Sequence, residues 1–402
     1  MINKGLNNFF ENYLTKEPLF INKKVLQSSY TPSTIPHREE QIKQIASILA
    51  PALKLEKPSN LFLYGKTGTG KTLSVKYVME QMIDVANKKN ISFGMYYINC
   101  KLKRVADTEY RLIAQISREF GLEVPATGLP TEEVYRLFVN YLKNSKKLVV
   151  IILDEIDQLV KKAGDEILYN LTRLSTELKS SEISLVGISN DLKFTDNLDP
   201  RVRSSLSEEE IVFSPYNAIQ LQEILKQRSK EAFRDGVIVE GVIEKCAAYA
   251  AREHGDARRA LELLRVAGEL AERANETSIK IKHIDEAEEK IDRDRILDTI
   301  KTQPKQFQAT LLSIFTYALQ SNNSIFTGDI YNYYKDICEK CGLKPLTQRR
   351  VSDIIAELDM LGIINAKVVS KGRYGRTREI SLAIPPSSIP VINQILRSGL
   401  GV

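Results

Sequence analysis

The chain is 402 residues long, 43% hydrophobic and 27% charged, proportions that exclude a disordered or fibrous protein and suit an ordinary globular one. At roughly 100–200 residues per domain, this length predicts two or three domains. A formal net charge of +6 is weak grounds for a nucleic-acid partner until its distribution is considered.

Four cysteines are too few for a disulfide framework in a chain this long. Cys338-Glu339-Lys340-Cys341 is a lone pair without a second ligand pair, expected to pack near a helix end rather than hold zinc. The strongest apolar run, Leu148–Leu153, is far short of the roughly 20 residues that span a bilayer, so no membrane partner is expected. The first residues carry no apolar stretch followed by a small-residue cleavage site, which predicts a cytoplasmic protein.

In chain order, Leu61–Tyr64 predicts a short buried strand and Leu73–Met82 a helix. Between them stands Gly65-Lys66-Thr67-Gly68-Thr69-Gly70-Lys71-Thr72, a G-x-x-x-x-G-K-T loop. Its glycines let backbone N–H groups and the helix N-terminus converge on phosphate oxygens. Lys71 is expected at the β- and γ-phosphates of ATP, and the Thr72 hydroxyl on Mg²⁺. The span from Lys71 to Asp154 exceeds a minimal strand–helix–strand crossover. After a strand at Gly94–Asn99, helices at Thr108–Phe120 and Thr131–Leu142 fill it.

Leu148–Leu153 predicts a buried strand that delivers Asp154 and Glu155 to its C-terminal edge, where open α/β sheets bind ligands. Asp154 would hold Mg²⁺ through water and Glu155 would polarise an attacking water. A third strand, Ile183–Ile188, ends at Ser189-Asn190, which puts Asn190 within reach of a γ-phosphate. Residues 217–290 carry alanine and leucine at helical spacing, including Ala257, Ala260, Leu261 and Leu264, and predict a small helical domain. Glu288–Arg295 reads as a charged bridge.

Beyond it, helices are expected at Gln306–Leu319, Thr327–Glu339 and Thr347–Leu361, then strands at Ile363–Val369 and Arg378–Ala383. This is a winged-helix pattern. Thr347 caps a helix whose first turn projects Gln348, Arg349 and Arg350, the place from which recognition helices read base edges. The wing carries Lys371, Arg373, Tyr374 and Arg376, suited to phosphates or a narrow minor groove. From Lys344 to Arg378 the cations Lys344, Arg349, Arg350, Lys367, Lys371, Arg373, Arg376 and Arg378 face only Asp353, Glu357 and Asp359. That concentration is the footprint of a DNA-contacting surface.

Taken in order, the Gly65–Thr72 loop, Leu153-Asp154-Glu155-Ile156-Asp157, the Ser189-Asn190 strand end, Asp199-Pro200-Arg201-Val202-Arg203-Ser204 and Gly255-Asp256-Ala257-Arg258-Arg259-Ala260 resemble an AAA+ ATPase. More narrowly the chain resembles the archaeal origin-recognition and helicase-loader proteins, relatives of the largest subunit of the eukaryotic origin recognition complex. The resemblance runs from about Tyr30 to the C-terminus. It implies an α/β AAA+ P-loop core, a parallel sheet flanked by helices, with an α-helical lid and a C-terminal winged-helix domain.

The implied divisions are an N-terminal extension at 1–25, the ATP-binding domain at 26–214 with a helical insertion at about 101–145, the lid at 215–290 and the winged helix at 300–402. The resemblance also implies that Asn190 is sensor 1, that Arg258 rather than its neighbour Arg259 is the sensor 2 arginine, and that Arg201 or Arg203 is an arginine finger acting in trans. It places Tyr30, Pro36 and Arg38 beside the adenine, with Tyr216 and Arg228 as further contacts to ATP or ADP. It assigns DNA contact to the insertion, although the mixed charge there reads as plain structural helix.

The implied function is ATP-dependent initiation of DNA replication: binding of duplex DNA at origins and recruitment or loading of the replicative helicase, with slow hydrolysis as a switch. Paralogous initiators are the other implied partners, and the location is cytoplasmic, on the chromosome. A loader or remodeller without origin specificity and an ATP-controlled transcription regulator are the alternatives.

Overall fold

Apolar residues run almost unbroken through Leu61–Tyr64, Leu148–Leu153 and Ile183–Ile188, as in strands covered on both faces. In the computed structural model these segments lie in a five-stranded parallel sheet. The structure describes residues 17–101, 108–125, 128–145, 148–177, 181–206, 208–320, 325–370, 376–384 and 388–402. They divide into two units, one ending at Ile284 and the other beginning at Asp285.

The first unit runs α1 (Glu39–Leu49), β1 (Asn60–Tyr64), α2 (Lys71–Lys89), β2 (Gly94–Asn99), α3 (Glu109–Glu119), α4 (Thr131–Ser145), β3 (Leu148–Asp154), α5 (Ile156–Ala163), α6 (Glu166–Glu177), β4 (Glu182–Ser189), α7 (Pro200–Leu206) and β5 (Glu208–Val212). The helices α8 (Ala218–Ala232), α9 (Val242–Arg252), α10 (Ala257–Arg273) and the start of α11 (Ile281–Thr302) complete it. Sheet order is β2-β3-β4-β1-β5. Because β4 lies between β1 and β3, the loops that follow these three strands open on one edge of the sheet.

Alternation along the strands sends neighbouring side chains to opposite faces. Leu61, Leu63, Val150, Ile152, Val186 and Ile188 join the core under α1 and α2. Phe62, Tyr64, Ile151, Leu153 and Leu185 join the core under α3 to α7. The inserted helices belong to that second core, with Leu112, Ile113, Val134 and Phe138 fully buried. Thr108 caps α3 by accepting from the Arg111 N–H.

Strand β5 was not expected. Its Glu208-Glu209-Glu210 run lacks any strand pattern, and it forms because β1 offers a free backbone edge. A chain segment from Leu19 to Leu26 buries Leu19, Phe20, Val25 and Leu26, with the Phe20 ring 4.5 Å from that of Phe233. The expected charged bridge Glu288–Arg295 is instead part of α11, built from residues that propagate helix well.

The second unit continues with α12 (Lys305–Gln320), β6 (Ile325–Phe326), α13 (Thr327–Lys340), α14 (Gln348–Met360), β7 (Ile364–Ser370), β8 (Arg376–Leu382) and α15 (Ile389–Leu400). The strands form a β6-β8-β7 antiparallel sheet. Val351, Ile354, Ile355 and Leu358 turn the inner face of α14 into a core with Leu312, Phe315, Ile330 and Tyr334. Helix α15, also unexpected, adds Ile392 and Leu396. Cys338 is buried on α13 and Cys341 follows its end, both as free thiols. Among the described residues no helix is long and apolar enough to cross a membrane.

Candidate nucleotide site and nucleic-acid interface

The turn from β1 into α2 is made by Gly65–Gly70, with Gly68 at φ 69° and Gly70 at φ 92°. L side chains rarely adopt these angles, so glycine lets the loop backbone curl inward. A cavity of about 340 Å³ opens over this loop. Thr67–Thr72, Asp154, Glu155, Asn190, Tyr216, Arg228 and Arg258 all line it, together with Tyr30 and Pro36 from the N-terminal side.

Lys71 is 5% exposed. Its Nζ donates to the Gly65 carbonyl at 2.6 Å, the Lys66 carbonyl at 2.8 Å and Asn190 Oδ1 at 3.0 Å. Burial pushes its pKa down to about 8, opposed by the nearby Asp154 and assisted by Arg258. Thr72 Oγ1 donates to Asp154 Oδ2 at 2.9 Å, which sets a hydroxyl and a carboxylate side by side as oxygen ligands of the kind Mg²⁺ takes.

Glu155 sits at φ 55°, a left-handed conformation that costs about 1–3 kcal/mol in a residue with a Cβ and concentrates at functional sites. Its N–H donates to Asp154 Oδ1 at 2.9 Å, and its carboxylate lies 3.5 Å from Lys101 Nζ. Asp157 Oδ1 accepts from the Asn190 N–H at 3.4 Å.

Helix α10 comes to the loop from the lid. Asp256 caps it, accepting from the Arg258 and Arg259 N–H groups, and the Ala257 N–H donates to the Gly68 carbonyl at 3.2 Å. Asp256 packs so closely that a Cβ on Gly68 would stand 1.7 Å from its Oδ1. The cap separates the two arginines: Arg258 lines the cavity, while Arg259 Nε pairs with Glu253 at 3.0 Å.

Arg228 is 7% exposed, with its guanidinium 4.8 Å over the Tyr30 ring. Its Nη1 is buried and has no hydrogen-bond partner among the described residues. An orphaned donor beside the cavity, together with the Thr72–Asp154 pair and the inward-curled loop, fits a nucleotide and its cation.

Arg38 does not line the cavity with Tyr30 and Pro36. It braces the walls from behind, donating from Nε to the Thr69 carbonyl at 2.8 Å and from Nη2 to the Ser214 carbonyl at 2.6 Å. Its guanidinium stacks 3.8 Å over Tyr216, and burial lowers its pKa. Arg201 and Arg203 on α7 also lie outside the cavity lining. Arg201 is bound to Asp199 at 3.1 Å, and Arg203 lies 3.7 Å from Asp196, both with exposed side chains.

Sequence reasoning missed Tyr97, whose hydroxyl donates to Asp154 Oδ2 at 2.6 Å. The available signal was its place on β2 two residues before Asn99, which pairs in register with Asp154. It also missed Lys101 and the bracing role of Arg38, which no short motif encodes.

In the second unit, Thr347 Oγ1 accepts from the Arg350 N–H and starts α14. Gln348, Arg349 and Arg350 are exposed on its first turn, with Arg350 3.7 Å from Asp353. Strands β7 and β8 pair from Ile364↔Leu382 to Ser370↔Arg376. Lys371, Arg373 and Tyr374 lie outside the described residues, as does the side chain of Arg376.

The arrangement of sheet, loop and lid is that of an AAA+ P-loop protein, here joined to a winged-helix domain. Family models match in the same order: an AAA domain over residues 55–193, a Cdc6 AAA+ ATPase-type lid domain over 222–289, and a CDC6 C-terminal winged-helix domain over 298–390. The chain is 55% identical to the ORC1-type DNA replication protein of Pyrococcus horikoshii over 388 residues, 96% of this chain and 92% of that one. It is 50% identical over 384 residues to the ORC1-type DNA replication protein 1 of Methanosarcina mazei, covering 95% and 92%. Among solved structures, the Aeropyrum pernix ORC1 protein in complex with DNA matches with a TM-score of 0.82 and 44% identity, over 95% of this chain and 98% of that one. The chain belongs to the ORC1-type DNA replication protein family, and with its AAA domain it carries that superfamily's nucleotide-binding fold.

Proposed function

We propose that the protein is an ATP-dependent replication initiator that binds duplex DNA at origins and helps recruit or load the replicative helicase, with slow hydrolysis as its switch. The observation that carries this reading is the match, across 95% of the chain, to an ORC1 protein in complex with DNA. That match takes in both the cavity and the winged helix. The exposed Gln348–Arg350 turn supports it, since helix N-terminal residues reach base edges in a major groove. The basic wing, Lys371, Arg373 and Arg376 with Tyr374 among them, supplies the cations for adjacent phosphates.

At the nucleotide site, the Gly65–Thr72 backbone cradles the phosphates, with Lys71 turned from its own loop carbonyls toward the β- and γ-phosphates. Tyr30, Pro36, Tyr216 and Arg228 enclose the base, and the free Arg228 Nη1 gives it a donor. Thr72 and Asp154 would hold Mg²⁺, which supplies neutralisation of phosphate charge when bound. Glu155 orients the attacking water, Asn190 bonds the γ-phosphate, and Arg258 carries phosphate occupancy to the lid. Arg201 or Arg203, absent from this cavity's lining and exposed, acts on a neighbouring subunit's ATP, that neighbour being a paralogous initiator or a second copy. Binding at origins places the protein on the chromosome in the cytoplasm.

The test is binding of the purified protein to tiled fragments of its own genome at fixed salt with competitor DNA, because bare affinity does not establish specificity. Tight binding confined to a few loci that also start replication is the expected result. Uniform weak binding would overturn origin recognition and favour a non-specific loader. Binding confined to promoters would favour a transcription regulator.

A further inference from the structure

Three donors converge on Asp154. Thr72 Oγ1 and Tyr97 Oη both donate to Oδ2, at 2.9 Å and 2.6 Å, and the Glu155 N–H donates to Oδ1 at 2.9 Å. Thr72 and Glu155 belong to the motifs already read as the nucleotide site. Tyr97 belongs to none of them.

It reaches Asp154 from the neighbouring strand. In register, Tyr97 pairs with Ile152 and Asn99 with Asp154, and the two-residue strand period puts Tyr97 and Asn99 on one face. Both line the cavity. The ring is fixed in turn by Lys76, whose Nζ lies 4.1 Å from its centroid. A phenol keeps its proton throughout the physiological range, so the hydroxyl can serve as a donor to the carboxylate. Hydrogen bonds from a hydroxyl to a carboxylate are short and strong, and 2.6 Å is the shortest of the three on Asp154.

We propose that Tyr97 is a positioning residue for the divalent cation: it fixes the rotation of the Asp154 carboxylate so that this group and the Thr72 hydroxyl are presented together. It acts through Asp154 and takes no part in the chemistry. The inference rests on the reading of Thr72 and Asp154 as the residues that hold Mg²⁺, and partners that orient a metal's ligands typically alter metal affinity 10–100-fold.

The experiment uses the full chain and a fluorescent ATP analogue, titrated in EDTA and across a Mg²⁺ series, with Mn²⁺ binding followed by electron paramagnetic resonance. Tyr97→Phe keeps the ring on β2 and removes only the hydroxyl. The expected result is a Mg²⁺ midpoint raised about tenfold, a parallel loss of Mn²⁺ affinity, and wild-type affinity for the analogue in EDTA. An unchanged or lowered midpoint would overturn the proposal, as would an equal loss in EDTA, which marks a structural role. The wild-type protein is measured first, with Asp154→Ala beside it. If neither responds to Mg²⁺, the underlying reading of the metal site fails and the proposal with it; a metal response in wild type that Tyr97→Phe shares unchanged sinks the proposal alone.

Discussion

The two units solve the problem of presenting cations in opposite ways. Around the nucleotide site Lys71, Arg38 and Arg228 are all less than 10% exposed; Lys71 is held by two carbonyls of its own loop and by Asn190 Oδ1, and Arg38 by the Thr69 and Ser214 carbonyls from separated parts of the chain. On the winged helix, Arg349 and Arg350 stand in solvent on one helical turn that the Thr347 cap begins, and among the described residues the Arg350 side chain meets only the exposed carboxylate of Asp353, at 3.7 Å. Buried cations are costly to leave unpaired and fix geometry, whereas exposed ones meet a partner that brings its own charge. Substitutions should therefore act through local architecture in the first unit and through association alone in the second.

The largest effect is expected at Lys71. Lys71→Ala should abolish measurable ATP binding while leaving DNA affinity near wild type; retained nucleotide binding by equilibrium dialysis would remove the loop from its assigned role. The same lysine gives a pH signature. Its pKa, lowered to about 8 from the usual 10.5, means that the unliganded protein loses this charge as pH rises through 8, while bound phosphate restores it. Nucleotide binding then takes up a proton, and affinity should fall about tenfold between pH 7 and pH 9. A flat profile would show that Lys71 stays charged without phosphate.

Arg38→Ala comes next. It strips donors from the Thr69 and Ser214 carbonyls and removes the plate beneath Tyr216, and should lower the stability of the first unit by about 2–4 kcal/mol in urea unfolding. An unfolding midpoint unchanged from wild type would show that the brace is dispensable. The smallest effects belong to the second unit, where Arg349→Ala should cost about 1–3 kcal/mol of discrimination between specific and competitor DNA. Arg376→Ala should instead weaken all DNA alike and reduce the salt slope by about 0.9. Both proteins should unfold at the wild-type midpoint, and a shifted midpoint would break the contrast between the units.

The same contrast explains what could be read in advance. The Gly65–Thr72 loop, Asp154 and Asn190 are legible because each is attached to the end of a buried strand, and the strand pattern places it. Helix α14 is legible because its cap and apolar face are local. The bracing role of Arg38, which the sequence reading set beside the adenine, and the bond from Tyr97 to Asp154 are not, because the partners are brought together by sheet order and by the approach of Ser214 and Tyr216, which no short window of sequence contains. Strand β5 fails for a related reason: its glutamates conform to a neighbour's backbone edge rather than to a pattern of their own.

One bond in the first unit has a mechanical consequence. The Ala257 N–H holds the Gly68 carbonyl, and Asp256 occupies the space that any side chain at Gly68 would need. The pitch of the lid helix and the curl of the Gly65–Gly70 loop are thereby coupled: for the lid to swing away the Ala257–Gly68 bond must break, and a side chain at Gly68 would push Asp256, and the lid helix with it, outward.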